Sequence, residues 1–251
     1  MSVPEGESRR VVLVTGASSG IGAATARAFA ERSACVVLTD IDEPRLAQTA
    51  AALPGSGHLA MKLDVTEEAD WLAALAEVER RFARLDVLVN NAGWATLRTI
   101  ADTSFEQWRR IIAINLDSVF LGTKLAMPLL AASRAGAIVN VSSIRGFVAG
   151  VGSGPYSAAK GGVRLFTKAT AIECAAAGNG VRANSVHPGW VDTPLAQATD
   201  PAIIERLRQS VPQKRLARPE EVAAAIVFLA SEEASYINGT ELLVDGGFTA
   251  T

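Results

Sequence analysis

The side chains best suited to chemistry are a phenol and an amine four positions apart, Tyr156 and Lys160. Residues at that spacing on a helix project from one face, so the pair would set an acid/base group beside a cation. Ser143 stands thirteen residues before the tyrosine, just past the apolar run 137–141. In a doubly wound sheet, ligands bind at the carboxyl ends of the strands. A serine hydroxyl there can donate to the oxygen on which the phenol acts. A Tyr-x-x-x-Lys pair alone recurs by chance, so its weight depends on what surrounds it.

A second candidate site lies near the start of the chain. Thr15-Gly16-Ala17-Ser18-Ser19-Gly20-Ile21-Gly22 separates a short β-branched run, 11–14, from a helical stretch at about 21–32. The Gly-x3-Gly-x-Gly spacing differs from the commoner G-x-G-x-x-G, but the physics is shared. Glycines permit a tight turn and close backbone approach, and the free N–H groups of a helix start favour a pyrophosphate. Asp40 ends the next strand-like run, 24 residues past Gly16. A carboxylate there accepts from the hydroxyls of an adenosine ribose. It would repel a 2′-phosphate by roughly 1 to 4 kcal/mol at about 4 Å, depending on the effective dielectric. No Lys or Arg stands at Ala17, Ser18, Ser19 or Ile41 to offset that repulsion, so the expected cofactor is NAD and not NADP. Asp64, after the third run, either caps an adenine amino group or closes a turn.

The elements that must hold these groups alternate from end to end. Strand-like runs recur at 11–14, 35–39, 59–63, 87–89, 137–141, 181–186 and 241–244. They are apolar along most of their length, which marks strands buried on both faces of a parallel sheet. Between them, Trp71, Leu75, Val78, Phe82 and Leu85 form one helical face. Phe105, Trp108, Ile112, Asn115, Val119, Gly122 and Ala126 form another, with Asn115 its polar member. A buried amide needs its hydrogen bonds met, so Asn115 is either a satisfied core residue or part of a site. No linker or repeat divides residues 1–251, which read as a single doubly wound α/β domain. Residues 1–9 read as a polar tail. Residues from about 190 to 212 read as either an ordinary surface loop or a substrate lid.

Composition narrows the partners. The chain carries 24 Lys plus Arg against 26 Asp plus Glu, a net charge of −2, with no long basic run. That disfavours a nucleic-acid or anionic-membrane surface. Cys35 and Cys174 have neither CxxC nor zinc spacing, so no disulfide scaffold or structural zinc is expected. The longest apolar run, 222–230, is half of what a membrane span requires. A cytoplasmic protein with no membrane partner is expected. His58 reads as exposed and His187 as packing beneath the cofactor. Neither has metal-ligand spacing, so no catalytic metal is expected.

Taken in order, the motifs resemble the short-chain dehydrogenase/reductase family. They are the 15–22 loop, Asn90-Asn91-Ala92-Gly93, Asn115, Ser143, Tyr156, Lys160 and Pro188-Gly189-Trp190-Val191-Asp192-Thr193. The resemblance implies a Rossmann fold with a seven-stranded parallel sheet flanked by helices. It implies Tyr156 as general acid/base and Ser143 as donor to the substrate oxygen. Lys160 would bond the nicotinamide ribose, and Asn115 would hold a water that relays protons from Lys160. A free phenol has a pKa near 10, so only about one in a thousand is ionised at pH 7. Lys160 and a positive nicotinamide would lower that by roughly 2 to 3 units. Gly16, Ser18, Ser19, Gly20, Ile21 and Gly22 would cradle the pyrophosphate. Asp40, Ile41, Asp64, Val65, Asn91, Ala92 and Gly93 would line the adenosine side. Pro188, Gly189, Val191 and Thr193 would hold the nicotinamide end.

Within the family, the stretches 141–147, 163–168, 185–189 and 244–250 look like the secondary-alcohol dehydrogenase branch, which includes cyclic-alcohol, aryl-alkyl carbinol and hydroxysteroid enzymes. Beside Ser143 and Tyr156, the implied substrate walls are Trp94, Arg145, Phe147, Val148, Trp190 and Leu195. Most are apolar, which suits a hydrophobic small-molecule alcohol or ketone. Arg145 either meets an anionic group or is solvated at the rim. Some family members bind magnesium near the C-terminus, which here ends in Thr251. A homotetramer is the family's usual state, and helices at about 104–133 and 155–177 suit self-pairing. Two alternatives remain. A 3-oxoacyl-[acyl-carrier-protein] reductase would share the tetrad but usually prefers NADP. A nucleotide-sensing protein would need none of Ser143, Tyr156 and Lys160.

Overall fold

Strands without a polar face must be covered on both sides, and the protein satisfies this with one all-parallel sheet. The structure, a computed structural model, describes residues 9–197 and 200–250, apart from the side chain of Leu195. Most of the expected tail and Thr251 therefore lie outside the described residues. The first half of the chain runs β1 (Val11–Thr15), α1 (Gly20–Ala30), β2 (Cys35–Asp40), α2 (Glu43–Ala51), β3 (Leu59–Lys62), α3 (Glu68–Phe82), β4 (Val87–Asn90), α4 (Phe105–Ile112) and α5 (Ser118–Ala131). The second half runs β5 (Ala137–Val141), α6 (Gly154–Ala177), β6 (Arg182–Pro188), α7 (Pro194–Gln197), α8 (Pro201–Ser210), α9 (Pro219–Ala230) and β7 (Glu241–Val244).

The sheet order is β3-β2-β1-β4-β5-β6-β7, a single doubly wound α/β domain. The order reverses between β1 and β4, which opens a crevice at their carboxyl ends. Registers Thr15 with Thr39, Val14 with Val89, Asn90 with Asn140 and Val141 with Val186 set those ends along one edge. Alternate residues of each strand serve opposite cores. Val12, Val14, Val36, Val89 and Val139 pack with Phe29 of α1 and Ile226 of α9. Leu13, Val37, Leu88 and Ile138 pack with Trp71, Leu75 and Leu130 on the other face.

One expected helical face is corrected. Phe105 and Trp108 are 73% and 39% exposed, while Ile111 is buried in place of Ile112. The cause is a π-helical turn, Ala113–Asp117, between α4 and α5. It inserts a residue into the 3.6-residue repeat, so the stripe before it rotates out of the core while Asn115, Val119, Gly122 and Ala126 stay in. The joined helix Phe105–Ala131 is long and apolar enough to cross a membrane by composition, beyond what run length alone suggested. Its inner side packs on β4 and α3. His58, expected to be exposed, is half-buried: its Nδ1 accepts from the Val36 N–H at 3.2 Å, and its Nε2 lies 2.9 Å from the Pro54 carbonyl. It ties the loop before β3 to β2. Helix α8, within the expected lid, buries no side chain.

Gly122 sits where α5 crosses Trp71 and Asn90, and a Cβ there would come within 2.6 Å of both. Gly122→Ala should therefore lower stability by about 1 to 3 kcal/mol through overpacking. A fall in urea midpoint with unchanged slope would show it, and an unchanged midpoint would refute it.

Candidate active site

The glycine loop is built to lie flat against the strand beside it. Gly16 has φ +64°, and a Cβ on it would sit 2.9 Å from the Ala92 Cα. A Cβ on Gly22 would sit 2.1 Å from the Gly16 carbonyl oxygen. The loop is braced by Thr15, whose Oγ1 accepts from the N–H groups of Asn91 and Ala92, both at 3.0 Å. Asn91 returns the contact by donating its Nδ2 to the carbonyls of Thr15 and Gly16. Ser19, the residue before α1, is extended and makes no side-chain capping bond. The first N–H groups of α1 thus have no capping side chain, at the mouth of the crevice.

At the end of β2, the Asp40 carboxylate accepts from the Ser18 N–H at 3.1 Å and the Asp42 N–H at 3.0 Å. Ile41 beside it is 64% exposed. Asp64 behaves as a turn residue: its Oδ1 accepts from both the N–H and the hydroxyl of Thr66. Val65 is buried beside it. From the opposite wall, Thr193 leans over the loop, so a Cβ on Gly20 would come 3.2 Å from its methyl carbon. Val191 bridges to Ala217, and Gly189 donates to the Val244 carbonyl at 3.0 Å. An uncapped helix start, a fixed carboxylate at the end of β2 and a third wall from β6 fit a nicotinamide dinucleotide lying across the switch point.

The reactive groups gather at the carboxyl ends of β4 and β5 and the start of α6. The Ser143 hydroxyl lies close enough to the Tyr156 phenol to favour its ionised form. Lys160 is buried, its Nζ donating to the Val141 carbonyl at 2.9 Å and lying 5.7 Å from the Tyr156 ring centroid. Burial pulls the lysine down to about 8. Burial also pushes the Tyr156 phenol up, opposed by the nearby Ser143 hydroxyl and by the charge of Arg145. Lys160 points its ammonium at a backbone carbonyl.

Asn115 lies wholly buried on the π-turn. Its Nδ2 donates to the carbonyls of Trp94 and Ile111 at 2.7 and 2.9 Å, and its Oδ1 accepts from the Trp94 N–H at 3.2 Å. The amide is thus engaged in holding the strand-four loop onto the helix. Gly93 keeps this junction tight, since a Cβ there would sit 3.0 Å from Asn115 Oδ1 and 3.6 Å from Lys160 Nζ.

Behind Ser143 stands His187, fully buried. Its Nδ1 is 3.1 Å from the Ser143 carbonyl and its Nε2 is 2.8 Å from the Ser185 hydroxyl. A carbonyl only accepts, so Nδ1 carries the proton and Nε2 accepts from the serine. Phe147 meets the His187 ring edge-on at 4.7 Å, and the Arg164 guanidinium lies over Phe147 at 4.1 Å. Arg164 is in turn paired with Glu241 at 2.8 Å. Thr15, Ser142 and Arg164 lie inside stretches that the sequence marks, but their bracing roles are not legible there, and the Arg164–Glu241 pair spans 77 positions with no local signal.

Among the substrate-side residues, Trp94 is half-buried with Arg110 over its ring at 5.0 Å. Trp190 is half-buried beneath the Arg145 guanidinium at 5.3 Å, and its indole N–H has no acceptor. Val148 is 36% exposed. The side chain of Leu195 lies outside the described residues. Among the described residues, no three His, Cys, Asp or Glu side chains cluster as metal ligands do.

Comparison with known proteins agrees with this geometry. A family model described as enoyl-(acyl carrier protein) reductase matches residues 16–249. Cyclopentanol dehydrogenase of Comamonas testosteroni is 44% identical, over 96% of this chain and 97% of its own length. Cis-4-hydroxycyclohexanecarboxylate dehydrogenase of Sinomonas cyclohexanicum is 46% identical, over 98% and 99%. An NADP-dependent (R)-specific alcohol dehydrogenase of Lentilactobacillus kefiri is 37% identical, over 96% and 97%.

Burial holds His187 down to about 4, against 6.5 in an unfolded chain. The unfolded state therefore binds the extra proton between those values, so this contribution to stability is full above pH 6.5 and is lost as pH falls through 4. It is worth roughly 3 kcal/mol. His187→Asn should be less stable than the wild type at pH 7, with the gap closing by about that amount at pH 4. Urea unfolding across this range measures it, and a pH-independent gap would count against the burial argument.

Proposed function

The chain belongs to the short-chain dehydrogenase/reductase family, and on that premise we propose that it interconverts a mainly apolar secondary alcohol, alicyclic or aryl, and its ketone. The carrying observation is the convergence of Ser143, just past β5, with Tyr156 and buried Lys160 in the first turns of α6, beside the switch-point crevice. Tyr156 takes the hydroxyl proton in oxidation and returns it in reduction, as general base and acid. Ser143 donates to the substrate oxygen, so charge developing there meets a fixed donor. Val191, Thr193 and Lys160 would hold a nicotinamide, which would supply the hydride chemistry. Asn115 holds Trp94 in the wall through that residue's backbone. The alcohol reading is supported by relatives whose names describe cyclopentanol and hydroxycyclohexanecarboxylate oxidation.

Asp40 supports NAD as the cofactor, since a 2′-phosphate would meet its fixed carboxylate. The NADP-dependent relative makes this a property of the individual chain and not of the family. Two free cysteines suit the reducing conditions of a cytoplasmic enzyme. Exposed Phe120 on α5 with Leu165 and Ile172 on α6 supports a homotetramer paired through these helices. The segment 190–212, with α8 resting on no core, supports the lid reading.

Steady-state kinetics with both cofactors should give at least about a tenfold higher kcat/KM with NAD, the equivalent of about 1.4 kcal/mol. Asp40→Ala should narrow the gap mainly through better NADP binding, and equal wild-type efficiencies would refute the assignment. Tyr156→Phe should lower turnover about a hundred- to ten-thousandfold with NADH affinity little changed. Retention of more than about a tenth of wild-type turnover would remove Tyr156 from its role.

A further inference from the structure

Arg145 is a cation without an anion. It is half-buried, and burial lowers its affinity for its proton. Among the described residues it has no carboxylate within ion-pair distance, and its side chain has one acceptor, the Ala149 carbonyl, 2.8 Å from one terminal nitrogen. Arg164 pairs with Glu241 and Arg84 with Asp86, while Arg182, which also has no carboxylate, spends its terminal nitrogens on the carbonyls of Leu229, Ser231 and Ile237. A guanidinium withdrawn from water without a counter-charge carries a desolvation penalty that an anion would relieve.

The backbone is also shaped around this side chain. Gly150 leaves it room, since a Cβ there would lie 2.6 Å from the guanidinium carbon and both terminal nitrogens. On its other side the guanidinium rests over the Trp190 ring. The location is the candidate reaction site: the Arg145 backbone N–H donates to Ser143 Oγ at 3.1 Å, and the Arg145 charge acts on the Tyr156 phenol. The remaining guanidinium nitrogens form a planar donor fork that matches a carboxylate.

We propose that Arg145, seated on Trp190 beside Ser143 and Tyr156, receives a carboxylate carried by the substrate, which is therefore a hydroxy acid whose apolar ring separates its secondary hydroxyl from its acid group. This rests on the alcohol-dehydrogenase reading above and narrows its substrate class. The apolar walls take the ring, Tyr156 and Ser143 take the hydroxyl oxygen, and Arg145 fixes the far end. The competing role for Arg145 is to act on the Tyr156 phenol alone, which predicts no preference for an acid.

The test compares kcat and KM for 3- and 4-hydroxycyclohexanecarboxylate and 4-(1-hydroxyethyl)benzoate with those for their methyl esters, cyclohexanol and 1-phenylethanol. Wild type, Arg145→Met and Arg145→Lys are assayed with saturating NAD. The inference expects at least one acid to exceed its own ester by about ten- to a hundredfold in kcat/KM, chiefly through KM. Arg145→Met should bring that acid-to-ester ratio down to about one, and Arg145→Lys should leave it between. Acids and esters used alike by the wild type would overturn the inference while leaving the alcohol reading intact, and this arm needs no variant to fold. An Arg145→Met loss equal for acid and ester would also overturn it, in favour of the phenol role. Turnover of none of these alcohols would remove the underlying reading and this inference with it.

Discussion

An ammonium group removed from water must find a fixed acceptor, and the site is organised around one such contact. Lys160 donates to the carbonyl of Val141, the last residue of β5. That bond joins the first turns of α6 to the strand that ends in Ser143. Two further contacts lock the same junction. Ser142 donates its hydroxyl to the Lys160 carbonyl at 2.9 Å, and Gly146 lies so close to it that a Cβ would be 2.9 Å away. Tyr156, one turn earlier on α6, is thereby held at Ser143. The arrangement has an electrostatic consequence: burial pulls the lysine down to about 8, so its charge changes with pH just above neutrality.

The sheet beneath this junction is held by a polar chain that no water reaches. Asn90 on β4 donates to Asn140 on β5 at 2.9 Å, and Asn140 donates to the Thr167 hydroxyl on α6 at 2.9 Å. Thr167 closes the chain on the Val163 carbonyl at 2.7 Å. Each amide here is buried and partnered, which gives such a network its rigidity and makes loss of one member costly. It joins β4, β5 and α6, the three elements that carry the Asn91 loop, Ser143 and Tyr156. On the other side, the π-turn at Asn115 brings its amide to the Trp94 backbone, so the helix and the loop after β4 move as one piece.

Charge is distributed unevenly over the two halves of the crevice. Around the glycine loop the fixed features are backbone N–H groups and one carboxylate, Asp40, suited to a phosphate and a ribose. Around Tyr156 the charged groups are basic, Lys160 behind and Arg145 in front. Burial works against ionising the phenol, while Ser143 and Arg145 work for it. His187 holds the Ser143 carbonyl through Nδ1 and stays neutral, so this anchor of the Ser143 backbone does not change with pH in the neutral range.

Much of this protein was legible from its residues because the governing interactions are local or periodic. Strands apolar on both faces declare a buried parallel sheet, and all seven lie close to where the runs placed them. The glycine loop, Asp40 and the Ser143–Tyr156–Lys160 spacing need only a strand end and a helix start to be read. What the sequence could not decide depends on contacts between segments remote in the chain. The π-turn that rotates Phe105 and Trp108 outward exists because Asn115 finds the Trp94 backbone across a loop. Asp64 braces a turn through Thr66, His58 is a tie and not a surface group, and Phe147 is placed by Arg164, which Glu241 anchors from the last strand. Arg145 has no acid within ion-pair distance, unlike Arg164 with Glu241 and Arg84 with Asp86. That absence is a property of the packed site, because whether a charge has a counter-charge depends on distance in space and not on spacing along the chain.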